Sequence, residues 1–320
     1  NTGKLSELEI IIRESIQNSK DRMLNNTLNM TYKLFELDGN FKEEYLRNLN
    51  FKELEPHLKA STDVNLTSGE SKHIKKGLNV LKNKKSKLRI LVIEDNNCEG
   101  LTGKEDDDTS NFVLLCKGNM ATTPKGFKGG SWGVGKKSFL ETSGIRTLLF
   151  SSIPKDTKKI RIFGRTITPS HTTSDGNKFS TAGFFGRPNK EGNAAESFND
   201  ANLAKKLLIG REEGNTGTSI AIICFNDSTT NFDEFTLKVE DFIQKYYWPV
   251  LENLLPEQKK LHVKIERFEN NSKKSSKTIN EVTISKYKNF LKAYIGINKA
   301  DNVEKENTST TAEIKFKINE

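Results

Sequence analysis

The sequence predicts an α/β sandwich over residues 1–230, followed by a smaller α/β domain over residues 231–320. Three observations carry this prediction. Apolar residues recur at helical spacing near the start of the chain, short apolar strands fill its middle, and a second helical segment precedes an alternating strand near residue 260. The order of a helix, a strand, a loop, a helix and then several strands is typical of helices packed on a sheet.

The composition is that of a globular chain. Of its 320 residues, 34% are hydrophobic and 29% are charged, which allows one large core and a second, smaller one. The chain has no run of about 18 apolar residues and no basic-then-apolar start, so we expect a cytoplasmic location and no membrane partner. Three cysteines without a C-x-x-C pair exclude a zinc ribbon and predict free thiols.

The net charge of +9 comes largely from lysine clusters such as KNKKSK (82–87) and SKKSSK (272–277). Runs of this kind are usually solvated loops. The charge also leaves a nucleic-acid partner open, because neutralising phosphates supplies affinity that does not depend on base sequence.

Helices are predicted by apolar spacing and end signals. Residues 5–24 (LSELEIIIRESIQNSKDRML) form an amphipathic helix with Ser6 as its N-cap. Further helices are expected at 136–144 and at 232–255, where Pro249 should kink or divide the second one. Residues 25–86 are polar and irregular apart from helical hints at 41–51 and 71–81.

Strands are predicted by short apolar or alternating runs. Residues 88–95 (LRILVIED) form a buried strand that delivers a carboxylate to its C-terminal end. The other expected strands cover residues 145–153, 160–168, 216–225 and 260–268.

The first helix carries a polar set. Glu14, Asn18 and Asp21 stand at i, i+4 and i+7, so helical spacing places them on one face. A solvated helix face is the ordinary explanation. The set also suits a magnesium triphosphate site, because an amide oxygen is a hard metal ligand and a carboxylate one turn away can orient and deprotonate water.

Asp95 ends the strand at 88–95 and is followed by the glycine-containing turn NNCEGLTG. A carboxylate in this place can accept a hydrogen bond from the exocyclic amine of adenine, while Gly100 and Gly103 let a flat base approach the main chain. A surface Asx turn is the alternative. Thr218 follows Gly217 at the start of another strand, where threonine is an ordinary residue.

GGSWGVGKKS, residues 129–138, is a glycine-rich loop before a predicted helix. It is not a Walker loop, because Lys137 stands where that pattern needs a hydroxyl and no apolar strand precedes it. What remains is a set of exposed backbone N–H groups at a helix N-terminus, which suits phosphates. A flexible basic loop is the alternative.

In chain order, RESIQNSKD, D-N-N-x-x-G-L, G-x-x-G-x-G-K and G-T-S-I resemble the four motifs of the GHKL ATPases. This superfamily takes in type II topoisomerase ATPase domains, the ninety-kilodalton heat-shock chaperones, histidine kinases, MutL and MORC. The resemblance spans about residues 5–225 and lies nearest the chaperone, MutL and MORC branch. It implies the Bergerat fold, a mixed sheet with helices on one face, followed by a transducer-like domain.

The resemblance implies roles for the residues of the first helix and the lid. Glu14 matches the general base, Asn18 the magnesium ligand, and Asp21 a polar position near the nucleotide. The lid that closes over the phosphates corresponds to Gly130, Gly133, Val134 and Gly135, with Lys136 as a phosphate contact.

The remaining motifs correspond to the adenine site of the family. Asp95 matches the aspartate that reads adenine, Gly100 the glycine beside the base, and Thr218 the threonine that supports the site through water. Asn97 stands where the family pattern D-x-G-x-G has its first glycine, and the turn is longer.

The function that the resemblance implies is ATP binding and hydrolysis with Mg²⁺, coupled to lid closure and to an ATP-dependent homodimer. A nucleotide-gated signalling module with little hydrolysis and a chaperone-like ATPase are the alternatives. Bacterial MORC-like relatives often serve antiviral defence, so a nucleic acid or an effector protein is a further partner left open. A protein kinase is disfavoured because we find no phosphoacceptor helix.

Overall fold

The structure is a computed structural model that describes residues 5–64, 69–118, 132–227, 229, 231–252, 260–294, 303–305 and 314–316. Its helices are α1 (Glu7–Lys20), α2 (Gly39–Asn48), α3 (Phe51–Asp63), α4 (Gly69–Lys82), α5 (Trp132–Glu141), α6 (Ala201–Lys206), α7 (Phe232–Leu251) and α8 (Ser285–Tyr294), and a π-helical turn covers Val113–Lys117.

Eight strands form one mixed sheet. They are β1 (Thr27–Leu37), β2 (Leu88–Asn96), β3 (Thr147–Ile153), β4 (Arg161–Ile167), β7 (Ala182–Phe185), β10 (Gly217–Ile223), β11 (Lys260–Glu269) and β12 (Ser272–Ile279), in the spatial order β12-β11-β1-β2-β10-β3-β4-β7. β1 and β11 are parallel, and the other neighbours in this sheet are antiparallel. The predicted α/β class with a mixed sheet is confirmed.

Six short strands pair outside the main sheet. They are β5 (His171–Thr172) with β6 (Lys178–Phe179), β8 (Arg187–Pro188) with β9 (Ala195–Glu196), and β13 (Val303–Lys305) with β14 (Ile314–Phe316).

Helices pack on both faces of the sheet. Alternate residues of β2 show this directly, because Leu91 and Ile93 belong to one hydrophobic cluster while Ile90 and Val92 belong to the other. The first cluster includes residues of α1, α5, α7 and α8, and the second includes residues of α2, α3, α4 and α6. The helices expected at 5–24, 136–144 and 232–255 lie on one face. The helical hints at 41–51 and 71–81 correspond to α2 and α4, which lie with α3 and α6 on the other face, so helices cover both faces instead of one.

Strand β1 corrects the expectation that residues 25–86 are irregular. Leu28, Met30, Tyr32 and Leu34 are buried and alternate with partly exposed polar residues, which is the period of a strand. This alternation is present in TLNMTYKLFEL. This strand was not predicted because its average hydrophobicity is low, since about half of its residues are polar.

The boundaries of three predicted helices differ from expectation. Ser6 does cap α1, accepting a hydrogen bond from the Glu9 N–H at 3.2 Å, but the helix ends at Lys20. α5 begins at Trp132, before the predicted start at 136. α7 continues through Pro249 and ends at Leu251, so the proline lies in the last turn and does not divide the helix.

Residues 232–279 share the sheet and core of the preceding residues. β11 pairs with β1 along most of its length, and α7 packs against α1, where the Lys245 Nζ atom lies 2.8 Å from Glu9 Oε1. The Tyr247 hydroxyl also donates to the Arg13 carbonyl at 2.8 Å. The domain boundary near residue 231 stays a prediction, and such a boundary would separate neighbouring strands of one sheet.

Cys98, Cys116 and Cys224 are buried thiols that form no disulfide. Within the described ranges, no helix combines the length and the apolar character needed to cross a membrane.

Candidate functional site

A cavity brings together four of the predicted site residues, Asn18, Asp95, Gly100 and Thr218. These residues come from α1, the end of β2, the loop after it and the start of β10. The cavity also has apolar walls, which include Met30, Ile93, Leu101, Phe139, Leu148 and Phe150. The combination of flat apolar surface with a few convergent polar groups is typical of a small-molecule site.

The carboxylate of Asp95 is held from two sides. The Ser19 hydroxyl donates to its Oδ2 at 2.8 Å, and the Thr218 backbone N–H donates to its Oδ1 at 2.7 Å. Burial raises the pKa of Asp95, although Arg211 and these two hydrogen bonds act against the rise. Each carboxylate oxygen keeps a second lone pair, so Asp95 can still accept a hydrogen bond from a ligand.

Gly217 makes this arrangement possible. Its φ is +139°, and an added Cβ would lie 2.4 Å from the Asp95 carbonyl oxygen and 2.5 Å from Asp95 Oδ1. Any side chain at this position would therefore push β10 away from the carboxylate. The sequence pattern contained this residue, but only the register of β10 against β2 shows why a glycine must precede Thr218.

Ser152 joins the loop after β2 to the start of β10. Its hydroxyl donates to the Gly217 carbonyl at 2.6 Å and accepts from the Leu101 N–H at 2.9 Å. Gly100, with φ of +70°, fits beside this hydroxyl because an added Cβ would lie 2.7 Å from it. Ser152 was not among the predicted residues, since nothing in the strand IRTLLFSSI distinguishes it.

Asn18 presents an unused acceptor. Its Oδ1 atom is buried and has no hydrogen-bond partner among the described residues. A buried polar atom without a partner costs free energy, and a hard cation or a ligand donor would satisfy it. Asn18 therefore fits the predicted role of a Mg²⁺ ligand. No group of three or more His, Cys, Asp or Glu side chains in the described part of the chain is arranged to hold a metal ion.

Glu14 lies one helical turn before Asn18 and is not among the residues that line the cavity. Burial raises the pKa of Glu14, and the neighbouring Arg13 acts in the opposite direction. A carboxylate with a raised pKa is better matched to accepting a proton from water near neutral pH.

Two other predicted residues lie outside the cavity lining. Asp21 is the exposed C-cap of α1 and accepts a hydrogen bond from Gln17 Nε2 at 2.9 Å. Asn97 is exposed, with φ of +60°, and its carbonyl accepts from the Leu24 N–H at 2.9 Å. Nucleotide contacts by these two side chains stay predictions.

The predicted lid is described in part. Gly130 lies outside the described residues. Gly133, Val134, Gly135 and Lys136 lie in the first turns of α5, and the same helix places Phe139 and Leu140 in the cavity wall.

Two arginines that the sequence did not single out also line the cavity. Arg22 lies 3.7 Å from Glu99, and Arg165 donates from Nη1 to the Gly118 carbonyl at 2.5 Å. Burial lowers the pKa of both guanidinium groups, which nevertheless stay charged at neutral pH. The cavity therefore offers positive charge to an anionic ligand.

No protein-family model and no curated protein match the chain. Solved structures do. The ATPase region of Saccharomyces cerevisiae topoisomerase II is similar at 7% identity and a TM-score of 0.35, with 95% of this chain and 56% of that one covered. The same region bound to ICRF-187 (dexrazoxane) gives 8% identity, a TM-score of 0.35 and the same coverage.

The N-terminal domain of a DNA repair protein is similar at 10% identity and a TM-score of 0.31, over 92% of this chain and 59% of that one. The chain thus spans little more than half the length of these structures. Similarity this distant does not assign the chain to a family.

Proposed function

We propose that this chain is a Mg²⁺-dependent ATPase of the GHKL type, nearest the MORC, MutL and chaperone branch. One observation carries the proposal. The cavity holds a carboxylate fixed by Ser19 and Thr218, an amide oxygen of Asn18 that has no partner among the described residues, and apolar walls between them. These are the groups that a purine base and a metal-bound phosphate require.

Adenine would lie against the apolar walls with its amine donating to Asp95. Gly100 leaves room for the base beside the loop, and Thr218 would support the base through a water molecule. An ionised carboxylate accepts hydrogen bonds but cannot donate them, so this site should favour a 6-amino purine.

The triphosphate would extend toward α1 and the start of α5. Asn18 would ligate Mg²⁺, whose charge neutralises the phosphates, and Glu14 would orient and deprotonate the attacking water. The glycine segment from Gly130 to Gly135 would close over the phosphates with Lys136 in contact, while Asp21 and Asn97 would supply polar groups at the rim.

ATP binding would close this lid and pair two copies of the chain, with residues 231–320 acting as a transducer-like unit. A cytoplasmic protein of this kind, coupled to DNA or to an effector in bacterial antiviral defence, is the setting that we propose. The basic net charge of +9 supports the DNA partner over a chaperone client.

The test is steady-state ATP hydrolysis with Mg²⁺ by the wild type, Glu14→Ala, Asp95→Asn and the exposed control Glu43→Ala, with nucleotide binding measured in parallel. We expect turnover by the wild type and the control, binding without turnover by Glu14→Ala, and no binding by Asp95→Asn. Absence of nucleotide binding by the wild type would refute the proposal.

A nucleotide-gated module is the second candidate, and the position of Glu14 outside the cavity lining favours it. It predicts binding by the wild type without turnover.

Light scattering with a non-hydrolysable ATP analogue tests the proposed dimer, since an unchanged mass at high protein concentration contradicts pairing. Salt-sensitive retention of duplex DNA tests the nucleic-acid partner.

A further inference from the structure

Arg211 is a buried cation directly behind Asp95. It is 9% exposed and follows α6 in a loop that leads to β10. Its Nη1 donates to Ser219 Oγ at 2.8 Å, and its Nη2 donates to the Asp95 carbonyl at 2.7 Å and to Asn96 Oδ1 at 3.0 Å. One guanidinium thus bonds to both strands that form the site.

The guanidinium and the carboxylate pack against the same glycine. A Cβ added to Gly217 would lie 2.5 Å from Asp95 Oδ1 and 2.6 Å from Arg211 Nη2. Arg211 does not line the cavity. Its contacts therefore act on Asp95 and the strand ends, and any effect on a ligand passes through them.

The charged groups around Asp95 make Arg211 important for its ionisation. Burial favours the protonated carboxyl and raises the pKa of Asp95, and Arg211 provides the main opposing influence. Among the described residues, Arg22 is a second nearby cation and Glu94 is a nearby anion. Glu94 is itself paired with Lys33 at 2.8 Å. Loss of Arg211 would therefore raise the pKa of Asp95 further.

Protonation would change which purine the site accepts. An ionised carboxylate accepts a hydrogen bond from a 6-amino group, but it is repelled by a 6-oxo group because both groups are hydrogen-bond acceptors. A protonated carboxyl can donate to the 6-oxo group instead. Selectivity between a 6-amino and a 6-oxo group therefore depends on the charge and the orientation of the Asp95 carboxylate.

We infer that Arg211 is a positioning residue that sets the purine selectivity of this cavity, by holding the Asp95 carboxylate as a fixed hydrogen-bond acceptor for a 6-amino purine. This inference rests on the proposed function, because it concerns the same nucleotide site. It adds a determinant that is outside the four motifs.

The experiment compares ATP with ITP, which carries a 6-oxo group in place of the 6-amino group. Binding of each is measured by calorimetry from about pH 5 to about pH 8, a range that lies above the ordinary pKa of an aspartate. The proteins are the wild type, Arg211→Met, Arg211→Lys and Arg187→Met. Arg187 is a matched control because it is half-exposed, pairs with Glu196 and lies outside the cavity.

The wild type and Arg187→Met should prefer ATP throughout this pH range. Arg211→Met should bind ATP about tenfold more weakly, because the charged guanidinium no longer donates to the Asp95 carbonyl and to Asn96 Oδ1. Its preference for ATP over ITP should fall further as the pH is lowered. Arg211→Lys keeps the positive charge but loses the planar guanidinium with its several donors. This variant should therefore bind ATP more weakly while still preferring ATP over ITP.

A folded Arg211→Met protein with the wild-type affinity and the wild-type ATP-to-ITP ratio at every pH would overturn the inference while leaving the proposed ATPase intact. If the wild type binds neither nucleotide, both fail. If Arg211→Met does not fold, Arg211→Lys and Ser219→Ala decide. Unchanged ATP affinity in both of these variants overturns the inference.

Discussion

The Ser19 hydroxyl donates a 2.8 Å hydrogen bond to Asp95 Oδ2 and so ties helix α1 to the end of strand β2. Because α1 also carries Asn18, this bond fixes the position of Asn18 relative to Asp95, the two polar residues on which the proposed nucleotide site depends. Ser19 belongs to the segment RESIQNSKD, yet its partner is far away in the sequence.

We expect Ser19→Ala to weaken ATP binding about fivefold, since one hydrogen bond of ordinary strength to the carboxylate is lost. The measurement is the ATP dissociation constant. Ser61→Ala is the control, because Ser61 is also buried but donates to the Leu58 carbonyl in α3 and does not line the cavity. Equal affinities for both variants would contradict a role for Ser19 in the site.

We expect Gly217→Ala to destabilise the protein by about 2 kcal/mol and to abolish ATP binding, because the new methyl group would collide with Asp95. Thermal unfolding and nucleotide binding measure the two effects. Gly183→Ala in β7 is the control, since a Cβ there would meet nothing within 4 Å. Normal ATP binding by Gly217→Ala would show that the close approach to Asp95 is unnecessary.

Lys42 belongs to α2, one of the helices on the second face of the sheet, so a substitution there tests this face separately from the cavity. This lysine is buried, and its Nζ donates to the carbonyls of Val80, Asn83 and Ser86 at 2.6, 2.9 and 2.9 Å, which closes the C-terminal end of α4. We expect Lys42→Met to lower the free energy of unfolding by about 2–3 kcal/mol, because buried acceptors lose their donor.

Chemical denaturation measures this loss, and Lys52→Met, at an exposed position, is the control. ATP affinity of the folded Lys42→Met protein should stay at the wild-type value. A change in affinity would mean that the two faces of the sheet are coupled.

A histidine pair predicts a pH effect on stability. His57 Nδ1 and His171 Nε2 lie 3.0 Å apart, and His171 Nδ1 contacts the Pro169 carbonyl at 2.9 Å, so His57 donates to His171 when both are neutral. Burial, followed by the nearby His171, lowers the pKa of His57 below its ordinary value of 6.5, although Asp175 and Glu53 oppose this. Folding thus favours the neutral ring.

Because the pKa of His57 is lower in the folded than in the unfolded protein, neutral His57 stabilises the fold fully above pH 6.5. This stabilisation is lost as the pH falls through the lower folded-state pKa. We expect a loss below about 1 kcal/mol, because His57 is partly exposed. Denaturation at about pH 7.5 and about pH 5.5 should show a smaller pH effect in His57→Gln than in the wild type or in His73→Gln. The same pH effect in all three proteins would exclude His57 as its source.

Much of the fold was predictable because its signals are local. The Ser6 cap, the apolar run of β2 and the strands β3, β4 and β10 each depend on residues that are neighbours in the sequence. β1 was missed because only its alternation, and not its average hydrophobicity, indicates a strand. The edge strand β12 was missed because its lysines and serines resemble a loop, whereas lysines on an edge also discourage pairing with other chains.

The cavity lining was predictable where a residue type itself suggests chemistry, as for Asn18 and Asp95, whose roles toward a ligand stay predictions. It was not predictable where the role depends on distant contacts. Arg211 lies in the loop GREEGN, whose sequence shows no special pattern, and makes its contacts with Asp95 and Ser219 only through the pairing of β2 with β10. Asp21 was expected on the same face as Asn18. However, α1 ends at Lys20, and the Asp21 carboxylate accepts a hydrogen bond from Gln17 Nε2.

The parallel pairing of β1 with β11 also bears on biosynthesis. Thr27 pairs with Lys260, so at ribosomal rates roughly 10 to 50 seconds separate the synthesis of the two strands. During this interval the edge of β1 that faces away from β2 has no partner, and the sheet that carries Asp95 is incomplete. The nascent chain therefore passes through a long period in which aggregation competes with folding, and the cavity can take its final shape only late in translation.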